Sequence, residues 1–454
     1  GQVLLFPYYT TTDGQDTLIN LANTTSDYKA VKVRILESLN SREVLDFNLY
    51  LSPFDHWSAT IVADPNGDGA AILTGDTSCT VPNDLSDQGL QEPGDRTPIP
   101  FRNLAYLNDS VDGLIRTSEG YVEVIEMGTV VEESEDWPAD IKHVNGVPGD
   151  CADLDSSWAN GVWDDDQLDG IEPPTGGLYG YGVLIDVTEG TDATYDAIAL
   201  DNFQDSAVHT GPGSTDPGLD DGVDTYDVID GNQVISGTAT RAGFESLDAV
   251  SAVLTHNTIA NDYVLESDLN AGTDWVVTFP TKNLYVNRSV SDGALAPFTD
   301  LWNPLTSRSC EQFDVFYVDR EEGSPLDPID ETDFSPSPEP DRPTLSFCAE
   351  ANVLSFNSSN VLDAPIDRNG TNLDLEEGFE NGFAALDFTS GLSGFVRPSL
   401  PAGGTNFEGL PVVGFAVQRY ENGTLVVDGN SVLSNYAGAV THKATRSTSG
   451  SASI

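Results

Sequence analysis

Basic residues are scarce in this sequence. Lysine and arginine together number 19 against 74 aspartates and glutamates, so the formal net charge of the 454-residue chain is −55. A surface without basic patches excludes unassisted binding to nucleic acid, whose phosphates need cationic neutralisation. The same shortage argues against docking on anionic lipid. Cations must solvate such a chain, and we expect a saline setting or a requirement for divalent ions.

Long apolar runs are also absent. A membrane-spanning helix needs about 18 consecutive apolar residues. No stretch of the sequence is that long, so we expect no membrane span. The chain begins at Gly1 and not at methionine, and we expect that a secretory signal peptide preceded it. The predicted location is therefore secreted, either extracellular or at the cell surface.

Only four cysteines occur, and they fall in two groups, Cys79 with Cys151 and Cys310 with Cys348. An even number fits disulfides in an oxidising compartment, with three possible connectivities. We predict sequential pairing, because each bridge then stays within one domain. Each closed loop would contribute about 4 kcal/mol on the chain-entropy model. A metal site is disfavoured, since no Cys-x-x-Cys motif occurs and no histidine lies near any of the four.

Four short segments, 17–23, 30–36, 43–51 and 57–62, carry the clearest strand pattern. In the second and third, apolar and polar residues alternate with period two, which places one set on a buried sheet face and the other in water. Turn-forming residues separate the segments. Strands at intervals of about ten residues are typical of an immunoglobulin-like β-sandwich.

The chain is too long for one such sandwich. We predict an all-β protein of two β-sandwich (immunoglobulin-like) domains, with long acidic loops and at most one or two short helices. The domains are expected at 1–175 and 176–454, because the strand pattern restarts at 177–187. The best short helix candidate is 248–256. The segment 325–343 holds six prolines and is predicted to be an extended, exposed loop.

A long acidic stretch between residues 131 and 170 lacks a strand pattern and holds twelve acidic residues. A loop of this length inside a compact domain should be functional or anchored. A disulfide at Cys151 can tie it down. Trp137, Trp158 and Trp163 either anchor it in the core or offer their rings to a ligand such as a sugar. Anchoring is the favoured interpretation.

The start of a calcium-binding loop follows the fourth strand. Asp64, Asn66 and Asp68 place side-chain oxygens at alternate positions, and Gly69 follows for the sharp turn. The twelfth position of the loop is glycine and not glutamate, and the nearest carboxylate is Asp76. An ordinary acidic turn is the alternative. We predict that these three residues bind calcium, with Asp76 as a candidate further ligand.

The chain opens on a near-continuous apolar run, 2–9. A chain terminus frays unless it is docked, and a run without alternation needs burial on both faces. Either it is the first strand of its own sandwich, or it completes the sheet of a neighbouring subunit by strand addition. We predict the contact with a neighbouring subunit, through Gln2, Val3, Leu4, Leu5, Phe6 and Tyr8.

Catalytic motifs are missing. The five histidines show no metal-ligand spacing, and no Gly-x-Ser-x-Gly elbow, Walker loop or His-Glu-x-x-His motif occurs. Among 74 carboxylates, no particular pair stands out as an acid and base. We predict that the protein is not an enzyme.

Several strings resemble a group of uncharacterised secreted cell-surface proteins of Gram-negative (proteobacterial) bacteria. They are GQVLLFPYY (1–9), SREVLDFN (41–48), LSPFDHW (51–57), TDWVVTFPTK (273–282) and GFAVQRY (414–420). The resemblance covers most of the chain, including the four cysteines. It implies an extracellular or cell-surface role and carries no functional residues.

These observations together predict an extracellular structural protein, the subunit of a bacterial surface filament or surface layer. Its main partner would be further copies of itself, joined through strand or edge contacts. The alternative is a secreted adhesin or carbohydrate-binding module, with a surface polysaccharide as its partner. Neither role involves nucleic acid.

Overall fold

The computed structural model describes residues 1–287, 292–323, 345–391, 395–427 and 430–449. It is mostly β-strand (45%) with few helices (13%), which confirms the all-β class. The proline-rich segment 325–343 lies outside the described residues.

Helices are more numerous than the one or two expected. The described residues hold six α-helices: α1 (Asp84–Gly89), α2 (Trp137–Ile141), α3 (Cys151–Asn160), α4 (Val162–Asp165), α5 (Glu245–Leu254) and α6 (Lys282–Val286). Three of them, α2 to α4, occupy the acidic stretch that showed no strand pattern. The carboxylates of Asp136 and Asp150 accept hydrogen bonds from the first turns of α2 and α3, so part of the acidity of this stretch is N-capping.

The first 200 residues form two sheets. Their strands are β1 (Val3–Thr10), β2 (Gln15–Asn23), β3 (Tyr28–Glu37), β4 (Glu43–Leu51), β5 (His56–Ala63), β6 (Ala70–Leu73), β7 (Thr80–Val81), β8 (Ile99–Pro100), β9 (Glu119–Val130), β10 (Ile171–Glu172), β11 (Leu178–Asp186), β12 (Thr191–Asp196) and β13 (Ile198–Leu200). The front sheet has the order β13-β1-β9-β3-β4-β7, with β10 beside β9, and the back sheet has the order β12-β11-β2-β5-β6-β8. The four segments singled out in the sequence are β2 to β5.

The predicted domain boundary at residue 175 falls inside this pair of sheets. β11 pairs with β2 along its whole length, and β12 pairs with β11. β13 pairs with β1 in the front sheet. The N-terminal pair of sheets therefore ends at Leu200. The strand pattern restarts after residue 176 because the chain returns to the same two sheets.

The rest of the chain adds two five-stranded sheets and several short strand pairs. The strands are β14 (Thr225–Asp230), β15 (Gln233–Thr238), β16 (Thr255–His256), β17 (Thr258–Val264), β18 (Ala271–Thr278), β19 (Glu311–Asp319), β20 (Leu345–Phe347), β21 (Ala351–Phe356), β22 (Gly370–Leu373), β23 (Asn381–Asp387), β24 (Ser390–Gly391), β25 (Phe395–Val396), β26 (Leu400–Ala402), β27 (Thr405–Glu408), β28 (Leu410–Pro411), β29 (Val413–Val427), β30 (Asn430–Thr441), β31 (Lys443–Thr445) and β32 (Ser447–Ser449). The central sheet has the order β22-β21-β18-β29-β30, and the outer sheet has the order β20-β19-β23-β17-β31.

The middle strands of the central sheet, β18 and β21, are buried on both faces. Trp275 and Val277 of β18 belong to the core shared with the outer sheet. Val276, between them, packs into the core of the N-terminal sheets. Phe415 of β29 stacks on Tyr195 of β12, with ring centroids 4.4 Å apart. Because successive side chains point to opposite faces, a strand covered on both sides needs a continuous apolar run.

β1 lies inside the front sheet, between β9 and β13, and all eight of its residues are buried. Leu4 and Phe6 join the core between the front and back sheets. Val3 and Leu5 point to the other face, where they pack in a second cluster with Leu219 and residues of α5. Both faces of this strand are covered by its own chain.

This burial corrects the prediction of a subunit contact at the N-terminus. Gln2, Val3, Leu4, Leu5, Phe6 and Tyr8 are all at most 5% exposed within the single chain. The sequence pattern correctly required burial on both faces. The second cover is supplied by residues 201–224 and α5, which lie some 200 residues further along the chain.

A polar joint links the N-terminal sheets to the central sheet. The backbone N–H groups of Glu350 and Ala351 donate to the Ser38 carbonyl at 2.8 and 3.0 Å. The buried Glu350 carboxyl accepts hydrogen bonds through Oε2 from the Ser41 hydroxyl and the Asn283 N–H. Its Oε1 has no partner among the described residues.

Replacing Phe6 by alanine should lower the free energy of unfolding by about 3–5 kcal/mol, because removal of a fully buried ring leaves a cavity. Phe54→Ala is the matched control, since the Phe54 ring is 70% exposed. Urea unfolding followed by tryptophan fluorescence measures both variants. A Phe6 variant as stable as the control would show that β1 does not pack within its own chain.

Replacing Glu350 by glutamine should flatten the dependence of stability on pH. Burial raises the pKa of Glu350 to about 8, although attraction to Lys282 opposes the shift. The folded chain therefore retains a proton that the unfolded chain has lost, and stability falls as the pH rises from about 4.5 to about 8. The amide variant cannot ionise, so its Tm should decline less over this range than that of the native protein. Glu376→Gln, at an exposed site, is the control, and coincident profiles for all three proteins would contradict the assignment.

Candidate functional site

Both disulfides form as predicted, Cys79 with Cys151 and Cys310 with Cys348. The first ties the beginning of α3, and with it the acidic stretch, to the residue that precedes β7. The second joins two residues that flank the paired strands β19 and β20. All four cysteines are disulfide-bonded, so the chain has no free thiol. The cysteines are structural.

The predicted calcium ligands are not brought together as a group of four. Asp64 Oδ1 accepts a hydrogen bond from the Asn66 N–H at 2.9 Å, within the turn that joins β5 to β6. Asp76 lies beyond the other end of β6, where its carboxylate accepts hydrogen bonds from the Ser58 and Ser78 backbone. Four residues of extended strand separate the two places by about 13 Å. Among the described residues, no group of three or more His, Cys, Asp or Glu side chains is arranged to hold a metal ion.

The tryptophans of the acidic stretch pack inward. Trp137 and Trp163 are at most 1% exposed, and their rings stack with centroids 4.3 Å apart. The half-buried Trp158 donates from its indole N–H to the Tyr50 hydroxyl at 3.0 Å, and His209 lies 2.9 Å from the same oxygen. Burial lowers the pKa of His209 to about 4, so it stays neutral. The cluster anchors α2 to α4 on the front sheet.

An open sheet edge lies on the other side of the molecule. β13 is the end strand of the front sheet, paired with β1 along one edge and with no strand of the described chain along the other. A groove of about 520 Å³ runs beside it, between β13, the β14–β15 pair and α5. A second hollow of about 240 Å³ adjoins the groove and shares Ala199, Leu200 and Val253 with it.

The groove is apolar with an acidic margin. Val250 of α5 forms part of its floor, and Ile229 and Val234 line it from the β14–β15 pair. Those two side chains are 75% and 63% exposed, which is unusual for large aliphatic residues in contiguous positions. Asp201 and Asp227 also line the groove. An apolar segment without negative charge would fit this site best.

Two strands of the central sheet extend past their neighbours. β18 pairs with β29 as far as Tyr420, whereas β29 and β30 stay paired with each other out to Val427 and Asn430. We call the segments 422–427 and 430–434 the arm. Val432, in the arm, is half exposed. The backbone ladder of the arm has no further strand beside it among the described residues.

The arm is nearly free of charge. Between residues 422 and 440 the only charged residue is Asp428, in a chain of which 20% is charged. Exposed end strands are ordinarily protected from pairing by charged side chains. β30 instead presents exposed apolar side chains further along, Tyr436 (60% exposed) and Val440 (52%). The lack of charge between residues 422 and 440 can be read from the sequence. It is the signal that could have indicated an exposed contact surface here, which strand periodicity alone does not indicate.

Comparison of the chain with protein-family models, with curated proteins and with solved structures finds no match. In the part of the chain that the structure describes, no helix is long and apolar enough to cross a membrane. The open groove and the arm are the candidate functional surfaces of the described chain.

Calcium binding by Asp64, Asn66 and Asp68 stays a prediction, now without Asp76. Millimolar calcium should raise the Tm of the native protein, and Asp68→Ala should lose that increment, because the aspartate supplies one of the oxygen ligands. Glu92→Ala, which removes an exposed carboxylate elsewhere, is the control. An equal increment in all three proteins would indicate diffuse screening of surface charge and would contradict a calcium site.

Proposed function

We propose that the protein is an extracellular structural subunit, which polymerises into a bacterial surface filament or layer. One observation carries the proposal: a single molecule has both an uncharged arm, whose two strands have no further strand beside them among the described residues, and an open, apolar groove beside the end strand β13. In the proposed joint, the arm of one copy lies in the groove of the next and adds a strand to the edge of β13. β-Strand addition of this kind supplies backbone hydrogen bonds and side-chain pockets together.

The joint is heterologous, because the arm and the groove are different surfaces. Head-to-tail contacts of this type generate open filaments whenever the rotation between subunits does not close a ring. Each added copy leaves a free arm at one end and a free groove at the other. Growth then needs no second kind of partner.

Charge favours a contact at these two places. Copies of a chain with a net charge of −55 repel one another over most of their surface. Residues 422–440, which include the arm, hold one acidic residue, and apolar side chains such as Ile229 and Val250 line the groove. Burial of this surface contributes about 25 cal/mol per Å² of apolar area, while salt screens the repulsion between the remaining carboxylates.

The architecture and the disulfides agree with this role. We infer that each pair of sheets is an immunoglobulin-like sandwich and that the chain has two domains, since separate hydrophobic cores fill the N-terminal sheets and the space between the central and outer sheets. Two disulfides suit an oxidising, extracellular setting. The proposal assigns no catalytic residue.

Removing the arm should abolish assembly and leave a folded monomer. Deletion of residues 424–433 leaves Asn422, Gly423 and Ser434 to connect Glu421 to its paired residue Asn435. Sedimentation velocity and negative-stain microscopy, at rising protein concentration in saline buffer with calcium, should show polymers of the native protein and monomers of the deletion variant. Its Tm should match that of the native protein, because no other described strand of the chain pairs with the arm.

A single aspartate introduced into either the arm or the groove tests the same joint. Val432→Asp in the arm and Ile229→Asp in the groove should each prevent assembly, since either buries a charge in an apolar contact. Leu305→Asp is the control, because Leu305 is 84% exposed and belongs to neither surface. A native protein that stays monomeric under all these conditions refutes the proposal, and assembly lost equally in the control refutes the proposed joint.

A further inference from the structure

The outward face of the back sheet forms a second unusual surface. Ile19 and Leu21 of β2, and Trp57 of β5, point into the core, so the residues between them point outward. We call the outward residues Asn20, His56, Ser58, Thr60, Tyr179 and Tyr181 the tyrosine face. No hydrophobic cluster of the described residues covers this part of the sheet.

Three strands bring the polar groups of this face into one row. Tyr181 of β11 lies opposite Asn20 of β2, which in turn lies opposite Ser58 of β5. The row spans about 10 Å at the usual strand spacing. Tyr179 stands beside it on β11, with its ring centroid 6.2 Å from that of Tyr181, and is half exposed.

Asn20 lies at the centre of this row and has a buried polar atom without a partner among the described residues. Its side chain is on the outward face, yet the residue is only 5% exposed, and its Nδ2 has no hydrogen-bond partner among the described residues. A buried amide without a partner is costly and uncommon. An oxygen atom of a bound molecule, placed between Tyr181 and Ser58, would satisfy it.

The chemistry of the face identifies the class of ligand. Tyrosine rings provide apolar stacking surfaces with a polar tip, and the amide and the serine and threonine hydroxyls provide donors and acceptors. β2, β5 and β11 contain neither lysine nor arginine, and the chain carries a net charge of −55. A phosphorylated or carboxylated ligand would therefore be repelled. Uncharged sugars combine hydroxyl groups with apolar C–H faces and suit these residues.

We propose that the tyrosine face binds a neutral polysaccharide, which lies across β11, β2 and β5 and accepts a hydrogen bond from Asn20. The face is on the back sheet, whereas the groove borders the front sheet and the arm belongs to the central sheet. Binding therefore goes beyond self-assembly and is independent of it. A polymer with this face on every subunit would attach to an extracellular matrix at many points, and weak single sites would add up to high avidity.

Affinity electrophoresis in native gels tests the proposal. Hydroxyethylcellulose, dextran and yeast mannan serve as neutral probes, and alginate serves as the anionic one. The arm-deleted variant, with residues 424–433 removed, is compared with the full chain so that polymerisation does not obscure migration. We expect at least one neutral polysaccharide to retard both proteins and alginate to retard neither.

Tyr179→Ala and Asn20→Ala should each weaken this retardation at least tenfold, with Tm measured to confirm folding. Tyr436→Ala is the matched control, because Tyr436 is also an exposed tyrosine on a strand but lies on β30. If Asn20→Ala fails to fold, Tyr179→Ala decides alone, since its ring is half exposed. No retardation by any neutral probe, retardation by alginate only, or an equal loss in Tyr436→Ala would each overturn the proposal. Loss of polymers without loss of retardation in the arm-deleted variant keeps the two proposals distinct.

Discussion

Burial of the middle strands of the central sheet on both faces is the constraint on which the rest of the structure depends. One face needs the outer sheet, and the other needs the N-terminal sheets, so the two halves of the chain share a hydrophobic boundary. The same requirement acts on β1, whose two faces are covered by the back sheet and by α5. Strands covered on both sides need side chains that alternate between faces while remaining apolar throughout.

Many of the few cations of the chain form ion pairs inside it. Eight of the 19 basic residues have side chains at most 21% exposed and pair with carboxylates. Lys29 donates to Glu126 at 2.7 Å and Arg116 to Glu37 at 2.6 Å, and all four side chains are fully buried. A buried charge without its partner would be strongly destabilising. Because these cations are paired inside the chain, few are left to balance the carboxylates of the outer surface.

That acidic surface restricts where anything can dock. Two places with few charges, the arm with its groove and the tyrosine face, have open backbone edges or a polar group without a partner among the described residues. The first suits a second copy of the chain, because it offers matching apolar surfaces. The second suits a neutral sugar, because it combines rings with hydroxyls and an amide. Their positions on different sheets allow both contacts at once.

Local pattern in the sequence determined the all-β class, strands β2 to β5 and the need to bury both faces of β1. Alternation of side chains is a property of short stretches, and it survives any tertiary arrangement. The two disulfides were predicted on a different ground, the expectation that each bridge stays within one domain, and the structure confirms the pairing. Tertiary structure alone decided what covers β1, because α5 and residues 201–224 reach it from far along the chain. It also showed that the N-terminal pair of sheets continues past residue 175 to Leu200, and it placed Asp76 at the far end of β6 from Asp64. Periodicity shows that a face must be buried, but not which distant segment buries it, since that choice depends on packing between elements that no local window contains.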